Sequence, residues 1–225
     1  MALSTPTSNP TASALERPFV YRKLLMVSIS LFAALGGGVF WFRHTQSKQN
    51  QRAQQEMFHA VYHFETSCFD KALHGDGTHA GFLHIIEDYP LSQAANLARF
   101  YAGVSCMHQK DYMQAVQHLR KFKAKDMLLQ ARAWAVMGDA YTEQEDYEKA
   151  SAFYLKAAEY RTNLAFSPIY LMKAGLAYEA SHQLEQALRC YDRVLEDFAK
   201  SEYGLEACKR AALVSTLLEK NNHSA

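Results

Sequence analysis

Residues 134–157 read WAVMGDAYTEQEDYEKASAFYLKA, and the reading of this stretch decides the fold. It holds two apolar-periodic segments parted by the polar patch Glu143-Gln144-Glu145-Asp146. Counted from Gly138, residues Tyr141, Ala150, Tyr154 and Ala157 stand at offsets of 3, 12, 16 and 19. Gly175 carries the same pattern in Tyr178, Ala187, Tyr191 and Val194, and Gly103 a looser one in Cys106, Ala115, Leu119 and Phe122. The glycines recur 35 and 37 residues apart, a period that marks an array of helical repeats.

Two antiparallel helices in close contact account for the pattern. Small residues such as Gly138 and Ala150 let the pair approach, and Tyr141 and Tyr154 fill the space beside them. The turns between are short and polar: Gln109-Lys110-Asp111, Glu145-Asp146 and His182-Gln183. Each second helix continues with an apolar residue every three or four positions. On these residues the sequence resembles the tetratricopeptide repeat family, matching its signature at Trp134, Gly138, Tyr141, Ala150, Tyr154 and Ala157. The copy at Gly175 has Leu171 in place of the tryptophan, and the copy at Gly103 lacks both large aromatics. The resemblance implies an all-α superhelix.

Ahead of the repeats, Arg22-Lys23 precede LLMVSISLFAALGGGVFWF, Leu24 to Phe42, and Arg43-His44 close it. Those 19 uncharged residues make a helix of roughly 28 Å, the thickness of a bilayer's hydrocarbon core. Trp41 and Phe42 sit at one end, where interfacial aromatics belong. A cleaved signal peptide would end at Ala33-Ala34 or the glycine run, but Val39 to Phe42 continue the apolar stretch beyond them. A buried core helix would show a polar face. The segment therefore reads as an uncleaved signal anchor. Arg17, Arg22 and Lys23 on one side balance Arg43, Lys48 and Arg52 on the other, so positive charge does not orient it. The short preceding tail favours a soluble part outside the cytoplasm. Ser30, Ala34 and Gly38 fall four apart, a spacing that permits self-association of the anchor in lipid.

The chain divides accordingly into a disordered tail (1–22), the anchor (23–43), a linker and helix start (44–58), a degenerate leading repeat (59–92), three repeats (93–201), a capping helix (202–219) and a tail (220–225). The leading repeat is read with an enlarged turn at His74-Gly75-Asp76-Gly77 and a close at Pro90.

Composition limits function. Lysine and arginine number 24 against 23 acids among 225 residues, a net charge of +1, which speaks against a nucleic-acid or polyanion binder. Five of ten histidines lie between His59 and His84, and His59 and His63 are four apart on a helix. The stretch is HAVYH, without the glutamate of a zinc protease, and His74, His79 and His84 do not complete a ligand set by spacing. A metal-dependent enzyme on this cluster is the remote alternative; no metal or cofactor is expected. Cys68, Cys106, Cys190 and Cys208 form no CxxC; Cys190 and Cys208 lie on successive helices and could pair if the domain is outside the cytoplasm, four unlinked thiols being the other reading. No phosphate loop, nucleophile elbow or carboxylate pair is placed, so the chain reads as non-catalytic.

In the resembling family, partners lie in a groove lined by the first helix of each pair. By the offsets above that face comprises Leu97, Phe100, Val104 and Met107, then Arg132, Asp139, Thr142 and Glu143, then Ile169, Met172, Leu176 and Glu179. Its alternative fate is burial against neighbouring helices. Asp139 stands where the family's carboxylate-clamping members have asparagine, so that clamp is not present as a set. The order of tail, anchor, linker and repeats resembles the YfgM-like ancillary subunits of the bacterial Sec translocon. That resemblance implies a protein-binding scaffold in the inner membrane, its repeats in the periplasm, assisting secretion or chaperone networks. A constitutive assembly subunit of a membrane complex is the other reading.

Overall fold

The computed structural model describes residues 12–224, with the side chains of 12–24, 27–35, 39, 127, 222 and 224 outside the description. The chain falls into two compact units, the first ending at Gln49 and the second beginning at Asn50. Helix α1 (Ala12–Glu65) supplies the described part of the first unit and the opening helix of the second. The tail expected over 1–22 lies outside the described residues up to 11; from Ala12, where Ala, Leu and Glu favour helix, the chain is helical. Among the described residues no helix is long and apolar enough to cross a membrane. Most side chains of the stretch Leu24–Phe42, with Ser30 and Ala34, lie outside the description, so the anchor remains a reading of the sequence. Those that are described are exposed, Phe40 at 75% and Trp41 at 71%.

The second unit is all helix. It comprises the end of α1, then α2 (Phe69–His74), α3 (Phe82–Asp88), α4 (Gln93–His108), α5 (Tyr112–Lys121), α6 (Met127–Glu143), α7 (Tyr147–Glu159), α8 (Ser167–Ala180), α9 (Leu184–Asp197) and α10 (Gly204–Ser224). The pairs α4–α5, α6–α7 and α8–α9 are the three repeats. The spacing from Gly138 to Tyr154 has a direct cause: a Cβ on Gly138 would sit 2.6 Å from the Tyr154 ring. Gly175 stands against Tyr191 in the same way, and Gly103 against Leu119. The alanines at offset 12, Ala115, Ala150 and Ala187, are fully buried at each hairpin contact.

The turns repeat as closely as the helices. Lys110, Glu145 and His182, each seven residues after its glycine, take left-handed backbone conformations with φ of 64°, 58° and 59°. The next N–H reaches back to a carbonyl five residues earlier: Asp111 to Cys106, Asp146 to Tyr141 and Gln183 to Tyr178. This hydrogen bond closes the first helix of each pair. Asp111 and Asp146 then cap the second helix by accepting from the backbone N–H of Gln114 and Lys149.

The same device reveals the true frame of the leading repeat. Ser67 is left-handed at φ 59°, and the Cys68 N–H bonds the His63 carbonyl. Counting back places Ala60 at the glycine position and Ala72 at offset 12, and both are fully buried. The tight turn between the paired helices is therefore Thr66–Cys68. The His74–Gly77 segment expected as that turn instead interrupts the second helix, between α2 and α3. The repeat also begins before residue 59, because Ala53 and Met57 already lie in the core with Ala60, Phe82 and Ile85. The polar Gln-rich surroundings of 49–55 mask that apolar register.

The core is a chain of small clusters joining neighbours, as an array requires. One unites α1, α3 and α4 around Phe82 and Ile85. The next, around Leu119, Phe122 and Met137, joins α4, α5 and α6. The last, around Leu171, Tyr191 and Val214, runs from α6 to α10. Helix α10 extends beyond the cap expected over 202–219, to Ser224.

Candidate peptide-binding groove

An open groove of about 750 Å³ lies between the last turns of α1 and the N-terminal ends of α4 and α6. Met57, Phe58 and Val61 of α1, Leu97 of α4 and Leu129 of α6 give it an apolar floor, and Lys123, Ala124, Lys125 and Asp126 form one wall. Phe58 is the most accessible residue of this floor at 71% exposed, Val61, Leu97 and Leu129 are half-buried and Met57 is buried.

The wall is held rigidly by side chains from both sides. The Asn96 amide donates to the Lys123 carbonyl at 2.8 Å while its oxygen accepts from the Lys123 N–H at 3.2 Å. Gln130, itself buried, accepts from the Ala124 N–H at 2.8 Å. Asp126 caps α6, accepting from the N–H groups of Leu128 and Leu129, both at 2.9 Å. On the opposite side Asn50 accepts from the Ala94 N–H at the start of α4, at 3.0 Å.

Of the residues expected on the binding face, Leu97 lines this groove. Phe100 and Met172 are buried, Phe100 against Phe122 at 5.3 Å between ring centroids and Met172 in the C-terminal cluster. Their placement in an open groove is corrected: both face a neighbouring helix. Val104, Met107 and Ile169 are half-buried beside the same clusters. Arg132 and Leu176 are exposed.

The polar centre is spent within the array. Asp139 accepts from the Tyr154 hydroxyl and the Lys173 ammonium, each at 2.7 Å, and so bridges two repeats. Thr142 lies 3.1 Å from the same hydroxyl. Glu143 accepts from the Tyr112 hydroxyl at 3.1 Å. Glu179 accepts from the Tyr191 hydroxyl and pairs with Arg210 of α10 at 3.6 Å. Burial, followed by the nearby acid, holds the Tyr154 and Tyr191 hydroxyls protonated far above the usual tyrosine range.

The histidine cluster is organised around an acid. Asp76 accepts from the backbone N–H of Thr78 at 2.9 Å and His79 at 2.7 Å, and its other oxygen lies 3.3 Å from ring nitrogens of His63 and His79. The His79 backbone N–H, then that of Thr78, holds its carboxyl well below the usual range. The His79 ring stacks on His59 at 3.5 Å. Among the described residues no three His, Cys, Asp or Glu side chains are placed to hold one metal ion. The cysteines are all unpaired: Cys68 and Cys208 are exposed, Cys106 and Cys190 buried, and burial pushes the two buried thiols up to about 11.

Sequence reasoning left Met57 and Phe58 outside the array by starting it at residue 59, and it assigned Val61 no place on the binding face. It assigned no role to Lys123 and Lys125, although the alternation Lys121-Phe122-Lys123-Ala124-Lys125 is visible in the chain.

The family model for the tetratricopeptide repeat matches residues 131–163, which span nearly all of α6 and α7. The ancillary SecYEG translocon subunit of Neisseria gonorrhoeae is 24% identical over 184 residues, covering 80% of this chain and 84% of that protein. The chain thus carries a tetratricopeptide repeat at its centre and is similar, over most of its length, to an ancillary subunit of the bacterial translocon.

Proposed function

We propose that this protein is a non-catalytic, membrane-anchored adaptor that binds polypeptides beside the secretory translocon. The observation that carries the reading is the groove: an apolar floor from three helices, edged by a wall fixed by Asn96, Gln130 and Asp126. A built concave surface of this kind suits an extended or helical peptide. Likeness to a translocon ancillary subunit directs the partner toward secretion. The uncharged run Leu24–Phe42, with Phe40 and Trp41 exposed, supports residence in the inner membrane, with the repeats in the periplasm.

A photoreactive residue at Phe58 in growing cells tests this. Adducts with translocon subunits, chaperones or secretory chains are expected, from protein that resists alkaline extraction of membranes. Adducts confined to one unrelated membrane complex would make the chain an assembly subunit. Release by alkali would overturn the anchor, and the absence of any protein adduct would overturn the groove.

A further inference from the structure

The groove is electrically one-sided. Lys123 and Lys125 line it with exposed side chains, and among the described residues neither is paired with an acid. Asp126 is the one acid among the lining residues, and one of its carboxylate oxygens caps α6. The N-termini of α4 and α6 both open at this end, and each contributes a fractional positive charge of about half a unit. Two lysines and two helix dipoles thus face a single acid that is already hydrogen-bonded.

The geometry makes that charge usable. Asn96 binds both backbone groups of Lys123, and Gln130 holds the neighbouring Ala124 N–H, so the Lys123 ammonium projects from a backbone held before any partner arrives, and Lys125 follows it just ahead of the α6 cap Asp126. Both belong to the non-helical segment between α5 and α6, and both line the groove. The same groove is lined by the exposed Phe58 ring and by Met57, Val61 and Leu97. An apolar floor under a positive edge matches a ligand that is apolar on one side and anionic on the other.

We infer that the groove selects amphipathic, acidic segments of partner polypeptides, their apolar side chains seated on Phe58 and Leu97 and their carboxylates on Lys123 and Lys125. This rests on the groove reading above and adds the chemistry of its occupant. Selection by charge rejects basic segments as much as it retains acidic ones, because like charges at a fixed wall are repulsive.

The test uses the full chain in nanodiscs and two peptides of 14 residues carrying a neutral fluorophore. Both have the same leucine and phenylalanine pattern; one has glutamate at every polar position and the other lysine. The acidic peptide is expected to bind at least about tenfold more tightly at 50 mM salt, with the difference collapsing at 500 mM. Reversing the wall with Lys123→Glu and Lys125→Glu, both exposed, is expected to invert the preference. Phe58→Ala is expected to weaken both peptides alike. Equal binding of the two peptides, abolished by Phe58→Ala, would overturn charge selection while leaving the groove intact. Failure of both peptides would overturn the inference. Displacement of the acidic peptide by phosphatidylglycerol vesicles but not by phosphatidylcholine vesicles, lost in the lysine variants, would reassign the wall to anionic lipid.

Discussion

At the residue scale, the repeat depends on a missing side chain. Gly138 lies where any Cβ would meet the Tyr154 ring, and that ring cannot retreat because its hydroxyl is tied to Asp139 and Thr142. Gly138→Ala should therefore cost about 1–3 kcal/mol, the range for overpacking a filled contact, read as a lowered denaturation midpoint. The three copies show the same logic with different chemistry. Where the packing residue is tyrosine, the residue four after the glycine is polar, Thr142 or Glu179, and lies within reach of the phenol oxygen. Where it is Leu119, that residue is Met107, and no hydroxyl needs a partner. The first copy looks degenerate by residue identity, yet it obeys the same rule of contact.

At the scale of the element, the turns are the most uniform part of the chain. Cys68, Asp111, Asp146 and Gln183 share nearly one backbone conformation, with φ from −86° to −93° and ψ from 63° to 73°. Only the two aspartates cap the following helix, since glutamine has no short oxygen to offer the N–H groups of the first turn. Gln183→Asp places a capping oxygen on a backbone already shaped for it. It should stabilise the protein by about 1 kcal/mol in urea denaturation, and Asp146→Ala should remove a similar amount. The turn geometry was legible in retrospect from polar spacing at offsets 6 to 8. The one misread turn, His74–Gly77, holds two glycines in three residues, and that signal marks an interruption inside a helix. Gly75 is left-handed there, and Asp76 gathers the backbone of Thr78 and His79.

At the scale of the whole molecule, each repeat is stable only through its neighbours. Helix α10 closes the C-terminal end by burying Ala207, Ala211 and Val214 against Tyr191 and Val194, and Arg210 pairs with Glu179 of the repeat it covers. Val214→Asp would place an unpaired charge in that seam and should cost about 3–5 kcal/mol. Amide exchange should accelerate first in α8, α9 and α10 and last around Phe82. The neighbouring Leu213→Asp, at a position 51% exposed, should change stability by no more than about 0.5 kcal/mol. A loss spread evenly from α1 to α10 would contradict the neighbour-by-neighbour account.

The sequence alone determined the class of fold and the frame of three repeats, because a glycine, an alanine and a ring at fixed offsets are local demands of one helix on its partner. Gly138, Ala150 and Tyr154 carry that demand within a single hairpin, so periodicity reports it. The open groove was decided by tertiary structure. Whether Phe100, Met172 or Phe58 meets solvent depends on which helix packs next to it, and all three occupy apolar positions of a first helix. The wall of Lys123 and Lys125 exists because Asn96, 27 residues before Lys123, binds its backbone. Such pairings leave no period in the chain, since they join different elements once each.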